Sequence, residues 1–235
     1  MVQRTIIKQC KMKNIDQTTE ILKVIVGSQA HGLATPESDT DYRGVFVQPT
    51  SEILKIGGHT RTTSWIEGND DDTSWEIGHF LFLSMKSNPT ILETYLSPIF
   101  YSNELGRELR DLFPYVWDSK AVRDAFIGYG LNQRKKMLED KDKRPNKYAA
   151  AYLRVLYNAF QLLSTGTFTI KIADTEIGET VRRFKAGEFS KGEAIDTCNF
   201  WQLRVEDAFN KNPDHKPDLD KINDFLLKVR KNFWK

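Results

Sequence analysis

Two aspartates one residue apart, Asp39 and Asp41, follow a Gly-Ser pair, Gly27-Ser28, in the first fifth of the chain. In an extended chain alternate side chains share a face, so both carboxylates point the same way a few ångströms apart. Bare carboxylates so placed repel each other, and a divalent cation relieves the repulsion. A Gly-Ser turn offers backbone N–H groups and a hydroxyl to an anion. An anion cradle beside a hard-cation site suits a nucleoside triphosphate carrying Mg²⁺ or Mn²⁺. An EF-hand is the rival use of Asp39-x-Asp41-x-Arg43-Gly44, but its fifth and twelfth positions would be Arg43 and Thr50, which lack the needed carboxylates.

Two β-rich runs must position these groups. Ile21–Val26 reads as a buried strand that ends on Gly27-Ser28, and Asp41–Val47 as a second strand stopped by Pro49. Gln29–Leu33 reads as a helical turn between them, and Thr35-Pro36-Glu37-Ser38 as a tight turn. A strand and a loop are expected over residues 60–70. A third strand follows Asp70-Asp71-Asp72 through Trp75-Glu76-Ile77, with Asp72, Ser74 and Glu76 on one face. His79–Ser87 reads as a helix, and Asn88-Pro89 as the cap and first residue of another carrying Ile91, Leu92, Tyr95 and Leu96. Ile6, Ile7, Cys10 and Ile15 suggest a short helix ahead of the first strand.

From residue 119 the periodicity is helical. One helix spans about 120–140 and another Lys147–Ser164. Residues 165–173 read as extended. Ser190-Lys191-Gly192-Glu193 is a capping box opening the next helix, and a last one covers about 218–234. The fold class is therefore α+β: a small mixed sheet with packed helices over 1–118, then an all-α region over 119–235.

Composition narrows the function classes. A net charge of +2 is no global nucleic-acid signature, so any such contact is local. One local cluster is Lys135, Lys136, Lys141, Lys143 and Arg144; a solvated turn is its ordinary reading. Cys10 and Cys198 match no metal or redox motif, and no apolar run reaches membrane-spanning length. A cytoplasmic location is expected, with no membrane partner. The four histidines lack metal-ligand spacing, although His31 falls inside the phosphate-binding turn. Trp65 and Trp75 could stack on a base or pack in the sheet. A Walker-type loop and Gly-x-Gly-x-x-Gly are both absent, which counts against P-loop hydrolysis and dinucleotide redox chemistry.

Val26-Gly27-Ser28 followed by Asp39-Thr40-Asp41-Tyr42 resembles the signature of the polymerase-beta-type nucleotidyltransferase superfamily. The longer string from Gly27 through Val45, Gly-Ser-x-Ala-x-Gly-Leu-Ala-Thr-Pro-Glu-Ser-Asp-x-Asp-Tyr-Arg-Gly-Val, is similar to a subfamily of predicted nucleotidyltransferases linked to RNA repair and RNA ligases. Supporting likeness runs through His79-Phe80, Asn88 to Glu93 and Lys147 to Arg154, covering most of residues 21–195. The resemblance implies a Mg²⁺-dependent enzyme that moves a nucleoside monophosphate from a triphosphate to a hydroxyl, most plausibly an RNA end, releasing pyrophosphate. It implies that Asp39 and Asp41 hold the metals and that Gly27 and Ser28 cradle the triphosphate. A third carboxylate on a neighbouring strand completes the second metal site; Glu76 comes first and Asp72 second. Arg43 is expected to pair with the aspartates, touch a phosphate or simply balance charge. Lys147 and Arg154, seven apart on one helix face, are expected to contact the triphosphate from the helical half. Two other outcomes stay open: a non-catalytic nucleotide-binding or toxin-neutralising module on the same scaffold, and transfer to a protein or small-molecule hydroxyl.

Overall fold

The computed structural model describes residues 18–58, 61–66 and 69–234, with the side chains at 65, 66 and 69–71 left aside. Five strands form one mixed sheet: β1 (Thr19–Val26), β2 (Asp41–Val47), β3 (Thr63–Ile66), β4 (Asn69–Glu76) and β5 (Ile99–Ser102). Their order is β3-β4-β2-β1-β5, with β2 and β4 parallel and the other neighbours antiparallel.

Register decides which side chains share a face. Leu22 pairs with Val45, Val24 with Arg43 and Val26 with Asp41, while Val45 pairs with Trp75. The apolar members of that set are buried against helices, so Asp41 and Arg43 stand at one end of the core face. Lys23, Tyr42, Gly44, Asp72, Ser74 and Glu76 alternate onto the other face. Gly44 is needed there: a Cβ would come 2.5 Å from Ser74 Oγ and 2.9 Å from Glu20 Oε1.

Three short helices follow the strands: α1 (Gly27–Ala30), α2 (Thr50–Leu54) and α3 (Ile77–Met85). The Asn88 side chain accepts from Thr90 N–H and Ile91 N–H to start α4 (Pro89–Leu96), as the Asn-Pro pair predicts. After β5 comes α5 (Glu104–Asp111). Asp118 then caps α6 (Ser119–Leu138), which packs along α7 (Pro145–Thr165). Next come α8 (Gly178–Ala186) and α9 (Lys191–Lys211), the latter opened by the expected Ser190/Glu193 capping box, and last α10 (Leu219–Asn232). The fold is α+β.

Packing continues across position 118. An aromatic series runs from Trp75 through Phe80, Tyr95, Phe113 and Phe168 to Phe126, with neighbouring ring centroids 5.0–6.4 Å apart. α10 also returns to the sheet: Thr50 N–H donates to Phe233 O and Thr50 Oγ1 to Arg230 O. Three elements differ from the sequence expectation. Residues 165–173 form irregular chain leading into a 3₁₀ turn at Ile172–Asp174, rather than a strand. β5 is only four residues long and sits at the sheet edge with Ile99, Phe100 and Tyr101 exposed, too short to show a period. α8 has a strong amphipathic stripe that begins after Gly178 and ends at Gly187 (φ +78°). The expected helix at Ile6–Ile15 lies outside the described residues, as does the Trp65 side chain.

Candidate active site

The turn after β1 and the start of β2 meet at Gly27 and Asp41. Gly27 has φ +65°, and a Cβ there would lie 2.0 Å from Asp41 Oδ2. Glycine is thus required twice, by the left-handed backbone and by the carboxylate pressed against it. α1 starts at Gly27 with no side-chain cap, while His31 N–H donates to Gly27 O and Leu33 N–H to Ser28 O. The chain then reaches Asp39 through a turn closed by Thr35 N–H donating to Ser38 Oγ at 2.8 Å. Asp39 is exposed and Asp41 half-buried. The structure thus brings together Gly27, Ser28 and Asp41, with Arg43 on the same sheet face; Arg43 Nη1 donates to Tyr42 O.

Behind the turn stands a buried charge network. His31 Nε2 lies 2.5 Å from Glu93 Oε1, and Arg154 Nη1 donates to the same oxygen at 3.1 Å. Burial alone would push the Glu93 carboxyl up, but Arg154 and His31 together hold it down at about 2. His31 is held below its usual range, by burial first and by the Arg154 charge second, against the opposing pull of Glu93. The neutral imidazole therefore donates Nε2–H to an ionised Glu93. One residue from each of α4 and α7 thereby anchors the turn at His31, and Ala173 N–H adds a bond to His31 O. Arg154, expected from the family likeness to touch triphosphate, is engaged here instead.

Lys147 is exposed in the first turn of α7. Lys185, in the last turn of α8, donates to Leu33 O at 2.7 Å, at the far end of the same loop. The two helices abut directly, because a Cβ on Gly187 would meet Asn146 Nδ2 at 2.6 Å. Lys185 is held below the usual lysine range by burial and then by the Lys147 charge. Nothing in the sequence marks Lys185, since one of three basic residues on an amphipathic helix carries no signature by itself.

The two proposed third acids are placed elsewhere. Glu76 is fully buried on the face opposite Asp41. Its carboxylate accepts Gly78 N–H at 2.7 Å as the N-cap of α3, and it takes both Arg230 forks, at 2.6 and 2.9 Å. Asp72 shares that face and accepts from Lys23 Nζ at 2.8 Å. Neither is brought to Asp39 and Asp41. Period two correctly put Asp72, Ser74 and Glu76 together, but it could not say which face Asp41 takes.

Among the described residues, no three His, Cys, Asp or Glu side chains converge on one point. What the turn presents is a pair of hard oxygen donors, the type that Mg²⁺ or Mn²⁺ takes, so the residues present fit a divalent cation in chemistry. No helix among the described residues is long and apolar enough to cross a membrane.

An alignment of 129 positions that covers 49% of the chain shows 25% identity to an uncharacterized 38.9 kDa protein of the nrdC-mobD intergenic region of Enterobacteria phage T4. That alignment spans 38% of the phage protein's length. Residues 3–228 match the model of RlaP, the RNA repair pathway DNA polymerase beta family. With nearly the whole chain matched, including the Gly27-Ser28 turn and the Asp39/Asp41 pair, the protein belongs to the RNA repair pathway DNA polymerase beta family.

Proposed function

We propose that the protein is a Mg²⁺- or Mn²⁺-dependent nucleotidyltransferase that moves a nucleoside monophosphate from a nucleoside triphosphate to a hydroxyl, with an RNA end as the acceptor. The family is polymerase beta-like, which carries nucleotidyl transfer in general. The observation that carries the finer reading is the contact of Gly27 with Asp41: the turn suited to phosphate and the carboxylate suited to a cation are packed as one unit.

Asp39 and Asp41 are the residues that would hold the cation, and Gly27 and Ser28 would face the triphosphate. A bound divalent ion supplies charge neutralisation on the phosphates and makes the attacking hydroxyl more acidic. The acceptor hydroxyl gives up its proton, its oxygen forms a bond to the α-phosphorus, the bond from that phosphorus to the α–β bridging oxygen breaks, and pyrophosphate leaves.

The test is label transfer. Each labelled NTP is incubated with Mg²⁺ and, in turn, RNA, DNA and protein acceptors. Label moving to RNA with pyrophosphate release, and lost in an Asp39→Ala/Asp41→Ala variant, is the expected result. Metal-dependent NTP binding without transfer to any acceptor would favour the non-catalytic module. That alternative draws on the burial of Glu76 away from the aspartates.

A further inference from the structure

We propose that Lys185 of α8 is a polyphosphate-binding residue that acts together with Lys147 of α7, a role that Arg154 does not fill. The proposal rests on the nucleotidyltransferase reading and names a residue for its triphosphate. Three observations carry it. First, Lys185 Nζ reaches the loop that begins at Gly27-Ser28, donating to Leu33 O at 2.7 Å. Leu33 N–H is itself bonded to Ser28 O at 2.9 Å, so the ammonium sits against the closing end of the phosphate turn.

Second, the contact of Gly187 with Asn146 seats the C-terminus of α8 on the first turn of α7, so the backbone positions bearing Lys185 and Lys147 lie close together and the Lys147 charge acts on Lys185. Among the described residues neither lysine has a carboxylate within ion-pair distance. The neighbouring cations are engaged: Lys171 with Asp174 at 2.9 Å, Arg182 with Glu179 at 3.2 Å, and Arg154 with Glu93 at 3.1 Å. Two like charges held close without a counter-ion form a site that an anion stabilises. Third, Arg154 Nη1 is committed to Glu93 behind the turn. Drawing it onto a phosphate would leave a buried carboxylate with one partner fewer, which is costly.

The test uses the full chain with Lys185→Gln, Lys185→Arg and Lys147→Gln variants. Glutamine removes the charge and is one bond shorter, so the separation of a tether from an anion contact comes from comparing tripolyphosphate with the bare nucleoside and from Lys185→Arg, which keeps both charge and reach. Binding of NTP, of inorganic tripolyphosphate and of the bare nucleoside is measured by calorimetry with Mg²⁺. The expected result for Lys185→Gln is NTP and tripolyphosphate affinity weakened about ten- to hundredfold, the scale of one charged hydrogen bond, with nucleoside binding unchanged. Lys185→Arg restores most of it, and Lys147→Gln behaves like Lys185→Gln. Wild-type tripolyphosphate affinity in Lys185→Gln, while the wild type still transfers label, overturns this proposal alone. A wild-type protein that binds neither NTP nor tripolyphosphate overturns the nucleotidyltransferase reading and this proposal with it.

Discussion

Removing Arg230 gives the sharpest separation between a structural and a catalytic Glu76. Glu76 has 0% exposure, and its carboxylate is satisfied by the two guanidinium bonds and the Gly78 N–H. Arg230→Met strips both guanidinium bonds and leaves an ionised group in the protein interior. Breaking a buried pair from one side costs about 3–5 kcal/mol. Glu76→Gln is gentler. Its amide oxygen can still cap α3, and Arg230, whose side chain is 19% exposed, can recover some hydration. A loss of about 1–2 kcal/mol is expected there. In the double variant Glu76→Gln/Arg230→Met no charge is stranded, so its loss falls short of the sum by about 2 kcal/mol. The assay is urea unfolding of all four proteins at neutral pH, compared at common slope, with label transfer measured per folded molecule. A structural Glu76 shifts the urea midpoint and leaves transfer per folded molecule within about threefold. The reasoning is refuted if Glu76→Gln keeps the wild-type midpoint and loses transfer by orders of magnitude, because that is the behaviour of a metal ligand.

Three further outcomes follow from the same contacts. Gly27→Ala must push aside Asp41 Oδ2 and strain a residue at φ +65°, so label transfer should fall at least a hundredfold while stability falls only about 1–2 kcal/mol; wild-type transfer in that variant would remove the turn from the site. Glu93 titrates near 2 in the fold against 4.5 outside it, so its contribution of about 3 kcal/mol is complete above pH 4.5 and is lost as pH falls from there toward 2; in Glu93→Gln the slope of urea midpoint against pH should flatten over that window. His31 is also lowered on folding, so the unfolded chain binds its proton first and stability declines as pH drops through about 6.5; His31→Gln should remove that decline, and an unchanged profile would deny the neutral, Glu93-bonded imidazole.

Local signals in the sequence sufficed for several features made by residues close together in the chain: the turn that ends β1 at Gly27, the Asn88-Pro89 start and the Ser190/Glu193 capping box. What was not legible depends on pairing between distant segments. Alternation correctly grouped Asp72, Ser74 and Glu76, but their position relative to Asp41 is set by the Tyr42–Asp72 register, which no local pattern encodes. Arg230 is 154 residues from Glu76 and Lys185 is 152 from Leu33, so neither partnership leaves a mark on either segment. Lys147 and Arg154 are seven apart on α7, yet helix spacing could not show that Glu93 of α4 accepts a bond from Arg154.

The distribution of charge around the turn explains why the helical region is needed by a site whose acids all lie near the sheet. An anion-binding turn has to hold its backbone in one conformation before the anion arrives, or binding must first restrict it. α1 is four residues long and has no side-chain cap, so it cannot supply that rigidity itself. The rigidity comes from outside: Glu93 and Arg154 fix His31, Ala173 N–H fixes its carbonyl, and Lys185 fixes Leu33. Every one of those anchors lies after the sheet's core strands β1, β2 and β4, and three of the four lie beyond residue 118. Separating the chain at that boundary would therefore remove three of the four anchors, leaving Asp41 at the start of β2 beside an unfixed turn and stripping Glu76 of Arg230. Loss of triphosphate affinity in such a fragment follows from released backbone freedom, even with both carboxylates still present.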